Sequence, residues 1–344
     1  MDLSKLTKRI ILKIAATTVL TAGMIGGVIA ADYPEKPISL VIPLGAGGSH
    51  DLNARVMTSV IPQYLNQAMI VQLSPGASGQ KGTNEVATAD ADGYTLLFAH
   101  NYTDQLQQHV ENLPYDTMED FVTVARTNFA PIAIVVAADS PYQSAQELFA
   151  AAKENPGKVK MAHSGNWGAL FVPAAQLMQA NEFELNLVPY KGGGPAMQAL
   201  LSGDVDVTMG FPSTLSGQIS AGKIRVLATA GNERIYPEVP SFSELGVGGD
   251  VGFMHRVVLA PREIPEDRLN ILREAFGQLN GDKTYQRMMS RLGENIDYMS
   301  GDDYEAMRKE QKVAYKTLVE SITCLLYTSP SPRDRTRSRM PSSA

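Results

Sequence analysis

The chain has 344 residues, of which 44% are hydrophobic and 19% charged, and its formal net charge at neutral pH is −6. Residues 1–31 and 324–344 each carry a net charge of +3, so the body between them has a net charge of −12. So acidic a body argues against a nucleic-acid partner, because phosphate contacts need a basic surface. The single cysteine, Cys324, lies outside this body, which therefore has neither a disulfide nor a thiolate.

The first 31 residues are predicted to be a signal peptide that is cleaved near Ala30 or Ala31. Four basic residues precede an uncharged apolar run from Ile14 to Val28, and small residues follow with the spacing of a cleavage site. A membrane anchor is the alternative, but the run is shorter than the roughly 20 residues that span a bilayer. We therefore expect an exported, periplasmic protein.

The last segment, residues 324–344, breaks abruptly in composition with the helix predicted before it. It is rich in serine, proline and arginine and resembles translated sequencing-adapter read-through. The functional alternative is a basic tail that touches nucleic acid or membrane. We expect this segment to be an artefact outside the fold. About 290 residues remain, enough for two lobes with separate interiors.

Strands and helices alternate along the body, which predicts parallel sheets covered by helices. Apolar runs predict strands at 38–42, 69–73, 92–99, 129–137, 159–162, 187–188, 205–209, 224–230 and 253–260. Two of these, 129–137 and 253–260, are expected to cross between two lobes. Three closing helices are expected near 265–280, 282–292 and 301–322.

Two glycine-rich turns, at 43–51 and 189–195, lead from a predicted strand into a predicted helix. Such turns direct backbone N–H groups and the positive end of a helix dipole at one small volume, which favours an anion. Two of them in one chain predict an anion-binding cleft between lobes. Asp51 is interpreted as a helix N-cap paired with Arg55, because a carboxylate facing an anionic ligand would repel it.

Enzyme motifs are mostly absent from the sequence. The windows 45–50 and 192–197 lack the third glycine of a dinucleotide-binding turn, and neither a phosphate loop nor a nucleophile elbow occurs. The five histidines lack metal-ligand spacing, so neither a metal nor a cofactor is expected. Two alternatives stay open. One is a periplasmic enzyme that uses His50 or His100 as a base, and the other is an accessory protein that presents its ligand to a sensory receptor.

Ordered sequence pieces through the whole body carry a resemblance to one family. They are Tyr33-Pro-Glu-Lys-Pro-Ile, Pro43 to Arg55, Ser74 to Gly82, Asp92-Gly-Tyr-Thr-Leu-Leu, Val188-Pro-Tyr-Lys-Gly-Gly-Gly-Pro-Ala, Gly203-Asp-Val-Asp-Val, Gly222-Lys-Ile-Arg-Val-Leu-Ala and Pro237-Glu-Val-Pro-Ser-Phe-Ser-Glu-Leu-Gly. In these pieces the chain resembles the Bug-type periplasmic solute-binding proteins of tripartite tricarboxylate transporters.

The resemblance implies an α/β, two-lobed Venus-flytrap fold in which each lobe is a sheet flanked by helices. The first lobe is expected to comprise residues 32–131 and 237–323, and the second residues 132–236. A small organic carboxylate is the implied ligand and a membrane permease the implied partner. We expect a monomer that is not an enzyme.

The resemblance also implies ligand contacts, which fall at Gly48, Ser49, His50, Asn101, Ser164, Asn166, Tyr190, Lys191, Gly192 and Phe211. The first glycine turn adds Gly47 to this set, and Trp167 is expected to be a pocket wall because Gly, Asn and Gly flank it on a turn. With Tyr102 nearby, the aromatic residues leave open a flat aromatic acid besides a short aliphatic dicarboxylate.

Overall fold

Two β-sheets flanked by helices form the described part of the chain, which in this computed structural model comprises residues 33–248 and 251–328. The expected signal peptide and most of the expected tail lie outside these ranges. The strands of the first sheet are β1 (Ile38–Ile42), β2 (Met69–Leu73), β3 (Thr95–His100), β4 (Phe121–Pro131), β10 (Phe253–Pro261) and β11 (Ile296–Ser300). Their order is β11-β4-β10-β3-β1-β2.

The second sheet lies between β4 and β10 in the sequence. Its strands are β5 (Ala133–Ala137), β6 (Lys160–His163), β7 (Asn186–Pro189), β8 (Val207–Gly210) and β9 (Ile224–Thr229). Their order is β7-β6-β8-β5-β9. The chain passes into this sheet within a single residue, Ile132, and returns to the first sheet through residues 230–252.

Ten α-helices cover the two sheets within the described ranges. They are α1 (Ser49–Val60), α2 (Pro62–Leu65), α3 (Gln80–Ala87), α4 (Ala145–Glu154), α5 (Phe171–Asn181), α6 (Gly193–Leu201), α7 (Pro212–Ser220), α8 (Glu266–Gly281), α9 (Lys283–Arg291) and α10 (Gly301–Thr328). None of the helices in these ranges is both long and apolar enough to cross a bilayer.

Both sheets are mixed, so the expectation of parallel sheets was wrong for the strands that carry the chain between them. Strand β1 pairs in parallel with β2 and β3, but β10 runs antiparallel to β3 and β4. In the second sheet, β5 is antiparallel to β8 and β9. The reason is topological. Strand β4 leads directly into β5, and β10 brings the chain back in the opposite direction.

The closing helix α10 links the two sheets. Near its start Tyr304 is buried against the first sheet with Leu97, whereas Val319 and Ile322 lie in the apolar cluster that also contains Leu177 of α5. The helix ends at Thr328 rather than near 322 as expected, and no proline or glycine interrupts it before that point. It is therefore a third connection between the sheets, in addition to the two chain crossings.

Candidate functional site

The two glycine turns touch each other across the cleft between the sheets. The backbone N–H of Gly45 donates a hydrogen bond of 2.7 Å to the carbonyl oxygen of Lys191. A Cβ atom on Gly45 would lie 2.5 Å from that oxygen, and one on Gly194 would overlap the carbonyl oxygen of Ala46. Only glycine lets these two backbones approach so closely.

A central cavity lies beside this contact, and residues of both sheets line it. Four helices, α1, α5, α6 and α7, begin at its wall. The lining residues are Leu44, Gly45, Gly48, Ser49, His50, His100, Ser164, Ala169, Leu170, Gly193, Gly210, Phe211, Thr214 and Met254. Its volume is about 20 Å³, which is room for about one water molecule. The four helix N-termini give this part of the cleft a positive potential that favours an anion.

Two larger pockets adjoin the central cavity and share lining residues with it. The side pocket has a volume of about 190 Å³ and is lined by Pro43, Leu44, Gly76, Ala77, Ser78, Gly79, Ser164, Gly165, Pro189, Tyr190 and Lys191. The outer pocket, of about 310 Å³, is lined by Ala46, Gly47, Leu52, Gly194, Pro195, Met197, Gln198, Ser213, Thr214, Gly217 and Gln218. Lys191 is the only lining residue of these three cavities with a formal charge at neutral pH.

A third glycine turn, at 76–79, contributes to the side pocket and was not predicted as part of the site. It packs against the segment that follows β6 of the second sheet, so closely that a Cβ on Gly165 would lie 2.8 Å from Ser78 Oγ. Ala77 and Ser78 both have positive φ, 45° and 53°. The signal was present in the sequence, because Ser74 to Gly82 also leads from a strand into a helix.

A buried polar network connects the first sheet with helix α7 of the second. The guanidinium of Arg256 binds both carboxylate oxygens of Glu294 at 3.0 Å, and its Nη1 also donates to Asn128 Oδ1. Glu294 Oε1 in turn accepts from the backbone N–H of Ser213 at 3.1 Å, and Asn53 Nδ2 donates to Ser213 Oγ. Both charged side chains are fully buried. Sequence reasoning did not identify this network.

The structure brings part of the predicted contact set together. Gly48, Ser49, His50, Ser164 and Phe211 all line the central cavity. Tyr190 and Lys191 line the side pocket instead, and Gly192 packs against the backbone of Gly45.

Four other predicted contacts have different surroundings. The side-chain amide of Asn101 makes hydrogen bonds within the protein: Nδ2 donates to Tyr315 Oη at 2.6 Å, and Oδ1 accepts from the backbone N–H of His255. Trp167 packs on Phe171 in the apolar cluster and is not a wall of the central cavity. Asn166 is exposed to solvent, and Gly47 lines the outer pocket. Since Tyr102 and Trp167 line none of the three cavities, two of the four aromatic residues no longer support a flat ligand.

Asp51 is not the N-cap of α1, because the helix begins two residues earlier and Gly48 occupies the cap position. From inside the first turn, its Oδ2 accepts a hydrogen bond of 2.9 Å from the backbone N–H of Gly47. The expected partner Arg55 lies 2.8 Å from its other oxygen. The Asp51 carboxylate thus stabilises the turn. The Gly47 N–H, which was expected to face the ligand, is bound to this carboxylate instead.

Two buried histidines lie in the wall of the central cavity. Burial, the neighbouring His100 ring and the Arg256 guanidinium hold the pKa of His50 well below its ordinary value of 6.5. Burial and Arg256 lower the pKa of His100 to about 3. Both rings are therefore neutral at pH 7. The described residues contain no group of three His, Cys, Asp or Glu side chains arranged to hold a metal ion.

We expect these histidines to make the fold sensitive to acid. Burial also lowers the pKa of His255 to about 3, as for His100. Below pH 6.5 the unfolded chain binds protons that the folded chain cannot. The unfolding free energy therefore decreases by about 1.4 kcal/mol for each unit by which the pH is lowered, for each such histidine. Urea unfolding between about pH 7 and pH 5 measures the slope. In a His255→Asn variant the slope should decrease by about one proton, and an unchanged slope would contradict the assignment.

The comparisons with known proteins agree with this architecture. Residues 53–324 match the family model described as "Tripartite tricarboxylate transporter family receptor". The UPF0065 protein in the gbd 5′ region of Cupriavidus necator is 31% identical over 317 residues, covering 90% of this chain and 94% of the relative. The periplasmic binding protein BugD superposes with a TM-score of 0.80 at 27% identity, over 85% of this chain and 99% of BugD.

A third comparison concerns the fold alone. MatC from Rhodopseudomonas palustris, solved with bound malate, superposes with a TM-score of 0.77 at 23% identity, over 83% of this chain and all of MatC. The two sheets and the cleft between them therefore define a periplasmic binding protein of two lobes. More narrowly, this chain belongs to the tripartite tricarboxylate transporter receptor family, to which the Bug proteins are related.

Proposed function

We propose that this protein captures a small organic carboxylate between its two lobes and delivers it to the membrane permease of a tripartite transporter. The observation that carries the proposal is the convergence of four helix N-termini, α1, α5, α6 and α7, on the cleft of an otherwise acidic protein. Backbone N–H groups and helix dipoles attract an anion into the cleft without a basic surface, and the side pocket beside the central cavity has room for it.

The side pocket is the proposed place for the carboxylate. It combines the ammonium group of Lys191 with the backbone of the turn at 76–79 and with Ser164. Its volume of about 190 Å³ is below the roughly 300–1,000 Å³ of pockets for drug-sized ligands, which favours a small metabolite. MatC, a relative of the same fold, was solved with malate, and this supports an aliphatic hydroxy- or dicarboxylate ligand.

The remaining parts of the proposal concern the whole protein. Residues 32–131 and 237–323 form the first lobe and residues 132–236 the second, consistent with the passage of the chain between sheets at Ile132. The family and BugD support a protein of the periplasm. We propose in addition that it is a monomer and that residues 1–31 are the signal peptide that exports it. We propose binding without catalysis; the hydrogen bonds that the His50 and His100 rings make within the described residues are to backbone groups.

A panel of carboxylates tests the proposal. We expect at least one of malate, succinate, adipate, citrate, lactate or benzoate to raise the melting temperature by several degrees, because a ligand at 100 times its Kd stabilises the folded state by about 2.7 kcal/mol. Thermal-shift assays rank the panel, and calorimetric titration measures the affinity of the best ligand. Methyl esters of the same acids, which lack the charge, are the controls. If esters and acids shift the melting temperature equally, the anion site is contradicted.

A further inference from the structure

Two neutral imidazoles face each other in the wall of the central cavity, and only His50 was predicted as a ligand contact. The ring centroids of His50 and His100 are 5.1 Å apart in an edge-to-face arrangement, and each side chain is only 2% exposed. A neutral imidazole has one N–H donor and one acceptor nitrogen. What the pair offers to a ligand therefore depends on which nitrogen of each ring carries the proton.

Hydrogen bonds to the backbone determine this for both rings. His50 Nε2 lies 3.2 Å from the carbonyl oxygen of Ala99, and because a carbonyl only accepts, Nε2 carries the proton. His100 Nδ1 lies 3.4 Å from the backbone N–H of Thr103 and accepts from it, so the proton of this ring is on Nε2. Among the described residues, nothing hydrogen-bonds to His50 Nδ1 or to His100 Nε2. One acceptor and one donor thus remain.

We propose that this histidine pair is a subsite for a hydroxyl group of the ligand, which donates to His50 Nδ1 and accepts from His100 Nε2. A hydroxyl does both, whereas a carboxylate oxygen only accepts and would oppose the lone pair of His50 Nδ1. The cavity volume of about 20 Å³ admits one water-sized group and not a second carboxylate. The inference rests on the proposed function and narrows the ligand to hydroxy acids.

The position of the subsite fits a hydroxyl close to the bound carboxylate. The central cavity and the side pocket share Leu44 and Ser164 in their walls. A ligand with its carboxylate in the side pocket therefore extends its adjoining carbon towards the histidine pair. Leaving the donor and acceptor of two buried rings unpaired costs free energy, so an analogue without the hydroxyl binds more weakly.

Matched acid pairs that differ by one hydroxyl test the subsite. The pairs are L-malate and succinate, L-lactate and propionate, and 2-hydroxyadipate and adipate, titrated calorimetrically against the full-length protein. In every pair that binds, we expect the hydroxy acid to have a Kd lower by about tenfold or more. Equal affinities within a pair overturn the subsite but leave carboxylate binding intact. If no acid of any pair binds, the proposed function itself fails.

Two conservative variants assign the effect to the rings. His50→Gln retains a donor for the Ala99 carbonyl and removes the Nδ1 acceptor, and His100→Asn retains an acceptor for Thr103 and removes the Nε2 donor. Each should reduce the preference for the hydroxy acid to about twofold or less. His255→Asn, another buried histidine that lines none of the three cavities, is the control and should keep the full preference. If both cavity variants keep it as well, the subsite is wrong.

A measurement without ligand checks the proton positions directly. Long-range ¹H–¹⁵N spectra of the folded protein should show His50 and His100 as neutral rings protonated on Nε2 at pH 7. A ring protonated on Nδ1, or an imidazolium, would remove the acceptor–donor pair and overturn the subsite even if the carboxylate binds.

Discussion

Replacing Gly194 by alanine is expected to reduce carboxylate affinity by about 100-fold or more while leaving the protein folded. A Cβ at this position would lie 2.8 Å from Gly47 C and from Gly48 N, in the opposite glycine turn. The closed arrangement would therefore be blocked by backbone atoms that cannot rotate away. In the open arrangement the Cβ would be free of this contact, and alanine is compatible with the first turn of α6.

The substitution shifts the equilibrium between the open and closed arrangements. Both the ligand affinity and the degree of closure must therefore be measured. Calorimetry with the best acid of the panel gives the loss of affinity, and small-angle scattering of wild type and variant compares their radii of gyration. The variant with saturating ligand should stay larger than the wild type. Gly281→Ala is the control: it also lies in a helix, it lines none of the three cavities, and its Cβ would meet nothing within 4 Å. Equal affinities of wild type and Gly194→Ala would show that the turns need not touch for binding.

Replacing Glu294 by alanine is expected to destabilise the protein by about 3–5 kcal/mol, because it leaves the Arg256 guanidinium buried without its counter-ion. Both side chains are 0% exposed. The substitution also removes the acceptor of the Ser213 backbone N–H, which lies at the start of α7. We expect a decrease in melting temperature of about 10 °C.

Urea unfolding gives the free energy, and two further variants interpret it. Glu244→Ala breaks the exposed ion pair with Arg234 and should hardly shift the unfolding midpoint. The double variant Arg256→Met with Glu294→Leu removes both charges and should recover much of the loss, because the uncompensated charge is gone. A Glu294→Ala loss as small as that of Glu244→Ala would contradict the account of the network.

Local sequence signals predicted much of the fold. The apolar run at 38–42 is strand β1 over the same residues, and the run at 69–73 is β2. Proline was an uneven signal, since α1 ends before Pro62 but Pro173 lies inside the first turn of α5, which continues past it; α6 starts beside Gly192 as its glycines indicate. Strand β11 escaped prediction, because its five residues lie between two strong helical patterns and its side chains are only partly buried. A short half-buried strand has little apolar periodicity to detect.

The candidate site was predictable only where its chemistry is local. A glycine turn between strand and helix is visible in the sequence, because its conformation follows from a few adjacent residues, and the turns around Gly48 and Gly192 were identified in this way. The sequence by itself thus determined the alternation of strands and helices, the acidic body and the glycine-rich turns.

Only the tertiary structure decided which side chains those turns meet. His100 joins His50 because β3 ends and α1 begins at the same cavity, whereas Asn101, the next residue, makes its hydrogen bonds with β10 and α10. Arg256 meets its partner 38 residues away in sequence. Burial and pairing of this kind depend on which faces pack together, and short-range spacing in a sequence does not specify that.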